Sequence, residues 1–140
     1  MKTFKSLTQI TEEKISNLFE ENGAFFAFGK KQFDEKKQPG ITYVTLASGL
    51  ICPNENAINV INLFDEIHTN GVRTQVEEFG AERIIEYDYF NFETQITGDI
   101  QQVKDGLSEH IKLFPKLFTD ELITNICNKC FNKAVENDWF

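Results

Sequence analysis

The chain has 140 residues and a mass of 16.2 kDa, a length that fits one domain and requires neither a metal nor a disulfide for folding. Its net charge of -8 argues against broad nucleic-acid binding, and its 14 phenylalanines predict a core dominated by aromatic rings. No apolar run is long enough to span a membrane, and the start has no apolar segment of the signal-peptide kind. We therefore expect a cytoplasmic protein without membrane contact.

The first part of the chain predicts a helix. Ser6 and Gln9 have the spacing of a capping box, and apolar residues then recur at helical spacing. Asn22-Gly23 is typical of a helix end. We expect the helix to run from near Ser6 to this glycine.

The next stretch, Ala24–Phe28, predicts a short strand. It is apolar throughout and bounded by glycines, a pattern typical of a strand buried on both faces. On this interpretation Phe25, Phe26 and Phe28 form the centre of the core. Replacing Phe26 with alanine should then cost about 3–5 kcal/mol of stability.

The following residues predict a connector and a hairpin. Lys30–Lys37 reads as a short polar helix or loop. Ile41–Ala47 is rich in β-branched and aromatic residues and predicts a second strand. Leu50–Cys52 predicts a third strand that returns antiparallel after a tight turn at Ser48-Gly49.

The rest of the chain predicts helices. One opens at Pro53 and stops at Asn70-Gly71, and a second runs from Val72 to about Tyr89, weakened by Gly80. Two more start at Thr97-Gly98-Asp99 and near Thr119. These elements predict an α+β fold: a small antiparallel sheet of about three strands, packed against and wrapped by four to five helices in a single compact domain over residues 1–140.

Three cysteines and two histidines are the residues that suggest metal chemistry. Cys127-x-x-Cys130, joined by Cys52 and by His68 or His110, has enough ligands for zinc. Both cysteines of the pair, however, fall on the apolar stripe of the last predicted helix, which favours buried free thiols. His68 is expected at a helix end and His110 in an exposed loop. We expect no catalytic residue, metal or cofactor, and a zinc-containing or metal-dependent enzyme is an alternative.

Acidic residues are concentrated in the middle of the chain. Residues 54–109 carry twelve acids and three bases. A negative surface of this kind steers toward basic proteins, including those that handle nucleic acids. The predicted partner-binding residues lie on one helical segment: Glu77, Glu78, Glu82, Glu86 and Asp88.

One basic stretch supports an alternative function. Its lysines could contact phosphates while an aromatic ring between them stacks on a base. The residues predicted for direct binding of RNA or another single-stranded nucleic acid are Lys30, Lys31, Phe33, Lys36 and Lys37.

Several stretches resemble small uncharacterised proteins of bacterial phages and mobile elements: Ala24–Phe28, Lys31-Gln32-Phe33, Gly49–Pro53, Ile84–Tyr87 and Thr97-Gly98-Asp99. A small acidic protein of that kind is similar in type to anti-CRISPR and other anti-defence proteins. The resemblance implies a non-enzymatic inhibitor that binds a basic nucleic-acid-handling protein, such as a CRISPR effector or its RNA complex, through an acidic helical face. It implies no catalytic residues.

Overall fold

The computed structural model describes residues 3–140, so Met1 and Lys2 lie outside the described residues. The described chain has an α+β fold with three strands and seven α-helices, which confirms the predicted class. It forms two compact units: one is Thr11–His68, and the other combines the chain up to Ile10 with Thr69–Phe140.

The strands are β1 (Phe25–Phe26), β2 (Tyr43–Ala47) and β3 (Leu50–Pro53), and a 3-10 turn follows at Asn54–Asn56. The helices are α1 (Leu7–Glu21), α2 (Lys30–Lys36), α3 (Ala57–Asn91), α4 (Thr94–Thr97), α5 (Ile100–Gly106), α6 (Ser108–Leu113) and α7 (Asp120–Asn137). Within residues 3–140, no helix combines the length and the apolar character that a membrane crossing needs.

The sheet is antiparallel and has the order β1-β3-β2. The predicted hairpin of β2 and β3 is confirmed, with Val44 opposite Cys52 and a register shift between Thr45 and Ala47. Gly49 has φ 76° in the turn, a conformation that glycine adopts without steric cost. The first strand is an edge strand with only two paired residues, Phe25 and Phe26.

The prediction that Phe25, Phe26 and Phe28 form the centre of the core is wrong. Phe25 is half-buried, while the side chains of Phe26 and Phe28 are 45% and 73% exposed. An edge strand of two residues covers little, and Phe28 lies beyond the last pair of the ladder. Its ring instead lies against Gly49, where an added methyl group would clash with it.

The core of the Thr11–His68 unit is small. Leu18 of α1, Cys52 of β3 and Val60 of α3 are buried together. Partly buried side chains pack around them, including Phe19, Leu46, Phe64 and Ile67. Helices α1 and α3 therefore cover one face of the sheet, as an α+β fold requires.

The larger core lies in the other unit and is built from helices. Ile84 and Ile85 of α3, Leu107 after α5, Phe118, and Ile123 of α7 are all almost completely buried. Aliphatic side chains supply most of this core, and one phenylalanine, Phe118, is fully buried in it. The many phenylalanines of the chain do not dominate its interior.

Three predicted helix starts are confirmed by their hydrogen bonds. Ser6 and Gln9 form a reciprocal capping box, in which the Gln9 amide donates to Ser6 Oγ at 3.2 Å and the Ser6 amide donates to Gln9 Oε1 at 2.9 Å. Asp99 caps α5 by accepting from the Gln102 amide at 3.3 Å. Thr119 caps α7 by accepting from the Leu122 amide at 3.1 Å.

The predicted stop at Asn70-Gly71 is wrong, because α3 continues through it. Gly71 is helical and buried, and the burial of Val72 and Gln75 beyond it offsets the cost of about 1 kcal/mol for glycine in a helix. The helical geometry breaks instead at Gly80, where φ 79° and ψ 162° is a conformation confined almost entirely to glycine. The sequence also does not predict α4 or the separation of α5 from α6.

The burial of Phe118 and the exposure of Phe28 predict that removing these two rings lowers the stability by unequal amounts. Phe118→Ala empties a site that is 1% exposed and should cost about 3–5 kcal/mol. Phe28→Ala should cost less than about 1 kcal/mol because its ring already contacts water. Urea unfolding of both variants measures the difference, and a Phe28→Ala cost equal to that of Phe118→Ala would contradict the fold described.

Candidate functional site

Two of the predicted partner-binding acids are paired with lysines of α7. Glu82 Oε1 lies 2.9 Å from Lys129 Nζ, and Glu86 Oε1 lies 3.5 Å from Lys133 Nζ. Exposed pairs of this kind contribute about 0–1 kcal/mol each, so a partner could replace them at little cost. They do reduce the negative field that the sequence predicts at this face.

The other three predicted acids lie apart from this pair. Glu77 and Glu78 are exposed and precede the break at Gly80. Asp88 follows Glu86 by two residues, which is a rotation of about 200° around a helix, and its side chain is half-buried. The five residues therefore do not form one acidic face.

The structure brings part of the predicted basic segment together with the sheet. Lys30 and Phe33 of α2 line a groove of about 400 Å³ with Tyr43, and the Phe33 and Tyr43 rings meet edge to face at 5.6 Å. Lys30 and Lys31 are exposed. Two further cations already have partners: Lys36 donates to the Phe26 carbonyl at 2.6 Å, and Lys37 lies 3.2 Å from Asp34 and over the Phe33 ring.

The three cysteines are free and buried, as predicted. Cys52 belongs to the core of the Thr11–His68 unit, and Cys127 and Cys130 belong to the other core. Burial raises the pKa of Cys130 to about 12 and also raises that of Cys127, so both remain protonated thiols. Within residues 3–140 no group of three or more Cys, His, Asp or Glu side chains is placed to hold a metal ion.

A polar groove of about 380 Å³ surrounds Asp88. Among the residues that the structure describes, no side chain or backbone amide donates a hydrogen bond to the Asp88 carboxylate, and no cation pairs with it. Burial therefore raises the pKa of Asp88 from 3.8 to about 7, since nothing offsets the lost hydration of the charged form. The polar side chains lining the groove are Ser6, Thr8, Gln75, Tyr87, Asp88, Asn91 and His110.

His110 forms part of this groove and is not in the exposed loop that the sequence predicts. It is buried in α6, where its ring meets Phe118 edge to face at 5.3 Å. Its Nε2 donates to Gln75 Oε1 at 2.6 Å, and Gln75 Nε2 donates to the Lys5 carbonyl at 3.0 Å. This chain of hydrogen bonds fixes one side of the groove.

A row of aromatic rings crosses the Thr11–His68 unit. Phe28 stacks on Phe26 at 6.2 Å, Phe26 meets Phe19 edge to face at 5.9 Å, and Phe19 is parallel to Phe64 at 6.3 Å. We call these four rings the aromatic row. The sequence did not identify it, because Phe64 of α3 is distant in the chain from the other three rings.

The inner end of the aromatic row forms the wall of an apolar groove of about 210 Å³. Leu46 and Leu50 of the hairpin and Ile61 of α3 line it with Phe19 and Phe64. The carboxylate of Asp65 is the one charged group in the described lining.

Comparison with known proteins places the chain in a family. The model of a family of unknown function, DUF7659, matches residues 7–133. The chain belongs to this family. The match includes α1 through most of α7, and with them Asp88 and the four rings of the aromatic row. No curated protein and no solved structure matches the chain, so the DUF7659 match supplies no activity, and function has to be argued from the geometry.

The raised pKa of Asp88 predicts a pH-dependent stability. Between about pH 4 and 7 the folded protein keeps a proton on Asp88 that the unfolded chain has released, so the free energy of unfolding falls as the pH rises through this window. Asp88→Asn keeps the shape but cannot ionise. The variant should match the natural protein at pH 4 and exceed its stability at pH 8 by about 1–2 kcal/mol after allowance for solvent screening.

Urea unfolding at both pH values measures this effect, with Glu66→Gln as the matched change at an exposed carboxylate. The control should shift stability little at either pH. A stability difference between Asp88→Asn and the natural protein that stays constant from pH 4 to pH 8 would show that Asp88 does not titrate as described.

Proposed function

We propose that this protein acts by binding, without catalysis, and that it inhibits a nucleic-acid-handling protein with a basic surface, such as an RNA-guided CRISPR nuclease. The observation that carries the proposal is the aromatic row, because its outer rings, Phe26 and Phe28, are exposed while its inner rings are packed. Large apolar side chains left at the surface in this way are typical of protein interaction sites.

The geometry of the aromatic row favours tight contact with another protein. Phe26 is held between Phe19 and Phe28, so its ring loses little freedom when a partner covers it. Rigid aromatic side chains in this setting are typical anchor residues of interfaces. The apolar groove beside them offers a place for an apolar side chain of the partner.

Charge supports a basic partner. The Thr11–His68 unit carries nine acids and five bases, and Asp65 lies in the lining of the apolar groove. A basic, partly apolar segment would place its apolar side chains in the groove and a cation beside Asp65. Glu77 and Glu78, exposed in the other unit, add to the negative field that speeds encounter with such a partner.

Removing the outer rings should weaken partner capture. We expect the double variant Phe26→Ala, Phe28→Ala to weaken binding at least about 30-fold, which corresponds to about 2 kcal/mol. Affinity purification from the producing cells, followed by quantitative mass spectrometry and a nuclease assay on the captured effector, tests the proposal. Phe131→Ala removes a ring of α7 that is exposed to about the same degree as Phe26 and serves as the control.

The control variant should retain both capture and inhibition. A captured partner that binds the double variant as well as the natural protein would show that the aromatic row is not the binding surface. A partner that binds normally but keeps full nuclease activity would contradict inhibition while leaving the surface intact.

A second candidate function is direct binding of single-stranded RNA or DNA, and the groove formed by Lys30, Phe33 and Tyr43 favours it. Aromatic rings beside cations are what such ligands require. Few cations are available to contact phosphates, which weakens this candidate: two of the four lysines already contact Asp34 or a backbone carbonyl.

Fluorescence anisotropy with an oligouridine measures direct binding. If the second candidate is correct, the double variant Lys30→Ala, Lys31→Ala should bind the oligouridine more weakly. The slope of the logarithm of the binding constant against the logarithm of the salt concentration should become shallower by roughly 0.7 for each lost phosphate contact. Lys14→Ala, an exposed lysine on α1, should have no effect. Absence of binding at low salt would eliminate this candidate.

A further inference from the structure

The polar groove around Asp88 is separate from the aromatic row and has no role in the proposed inhibition. We propose that it is a binding site for a small organic cation, a ligand with an ammonium or guanidinium group. The juxtaposition that supports this is a half-buried carboxylate without a partner among residues 3–140, facing a groove lined by hydroxyl and amide groups.

Among residues 3–140, no group gives the Asp88 carboxylate the contacts that normally stabilise a charge away from water. A buried charge is tolerated when it is paired or hydrogen-bonded. None of the described lining residues is a lysine or arginine. Tyr87 and His110 are the other titratable side chains in that lining, and His110 donates its Nε2 proton to Gln75. A cation that enters from solvent would supply the missing partner.

The end of α5 forms a close wall of the groove beside the carboxylate. Gly106 at the end of α5 lies next to it, and a methyl group on this glycine would be 3.4 Å from Asp88 Oδ2 and 2.7 Å from the Phe92 ring. Glycine at this position therefore lets the end of α5 approach Phe92 and Asp88 closely. The volume of about 380 Å³ falls at the small end of ligand sites.

The lining selects the chemical class of the ligand. An anion would be repelled by Asp88, and an apolar ligand would leave the half-buried carboxylate without a partner. A magnesium or calcium ion takes about six or more oxygen ligands, ideally with several carboxylates, whereas this groove offers one. An ammonium or guanidinium group needs a single carboxylate and a few neutral acceptors, which Asn91 and the hydroxyls of Ser6 and Thr8 provide.

The cation reaches such a groove either as a free amine or as the side chain of a protein. Butylammonium represents the first source and N-acetylarginine amide the second, while 1-butanol is the neutral counterpart of butylammonium. Titration of each into the isotope-labelled protein, followed by NMR, reports affinity from the amide signals and the protonation of Asp88 from its carboxyl carbon.

We expect at least one of the two cations to shift the amide signals of Asp88, Asn91, Gly106 and His110, and to lower the pKa of Asp88 from about 7 toward its ordinary range. Binding by butylammonium alone assigns the site to a free amine, and binding by the arginine amide alone assigns it to a protein side chain. Asp88→Asn should weaken binding at least tenfold. Asp105→Asn, a change at an exposed carboxylate of α5, should leave it unchanged.

The proposal fails if 1-butanol binds as well as butylammonium, since the charge would then be irrelevant. It also fails if Asp88→Asn binds both cations as the natural protein does, or if neither cation shifts these signals at 20-fold excess over about 1 mM protein. Because Asp88→Asn removes an unpaired charge, we expect this variant to fold, which keeps the test decisive.

Discussion

The first strand of the sheet pairs with its neighbour through two residues only, and this limit decides where the aromatic side chains go. Phe25 and Phe26 lie opposite Ile51 and Leu50, and the next ring, Phe28, is past the end of the ladder. A sheet edge this short cannot cover the rings it carries. Each apolar Å² left in water forgoes about 25 cal/mol, and stacking between neighbouring rings recovers only part of it. The result is a preformed apolar surface, which is the physical basis for proposing a binding protein.

The charge at the folded surface differs from the charge that the local sequence implies. Glu82 and Glu86 stand in an acidic stretch, yet they face Lys129 and Lys133, which are 47 residues further along the chain. Local charge is therefore a poor guide to the field at a folded surface, because distant elements supply the counterions. The remaining negative field comes from side chains such as Glu77. This field affects the association rate with a partner more than the affinity.

The features that the sequence predicts correctly are those that depend on neighbouring residues. The capping box at Ser6, the cap at Thr119, and the hairpin turn at Gly49 each satisfy a backbone requirement within a few residues. The failures concern burial. Asn70-Gly71 resembles a helix stop in the local sequence, but α3 continues through it to the buried Val72. The buried His110 donates a hydrogen bond to Gln75, which is 35 residues away in the chain. Both outcomes depend on contacts that no local pattern encodes.

The same distinction applies to the candidate sites. Lys30 and Phe33 are close in sequence, and their meeting with Tyr43 follows from a predictable hairpin. The aromatic row and the Asp88 groove each need three or more elements, so the sequence singles out Phe26, Phe28 and Asp88 without indicating which residues surround them. Asp88 contributes nothing to folding that a neutral amide of the same shape would not provide, and above pH 7 its charge opposes folding. A ligand cation would reduce this opposition, because pairing would lower the pKa that burial raises. The groove would then be most favourable for the folded protein when it is occupied.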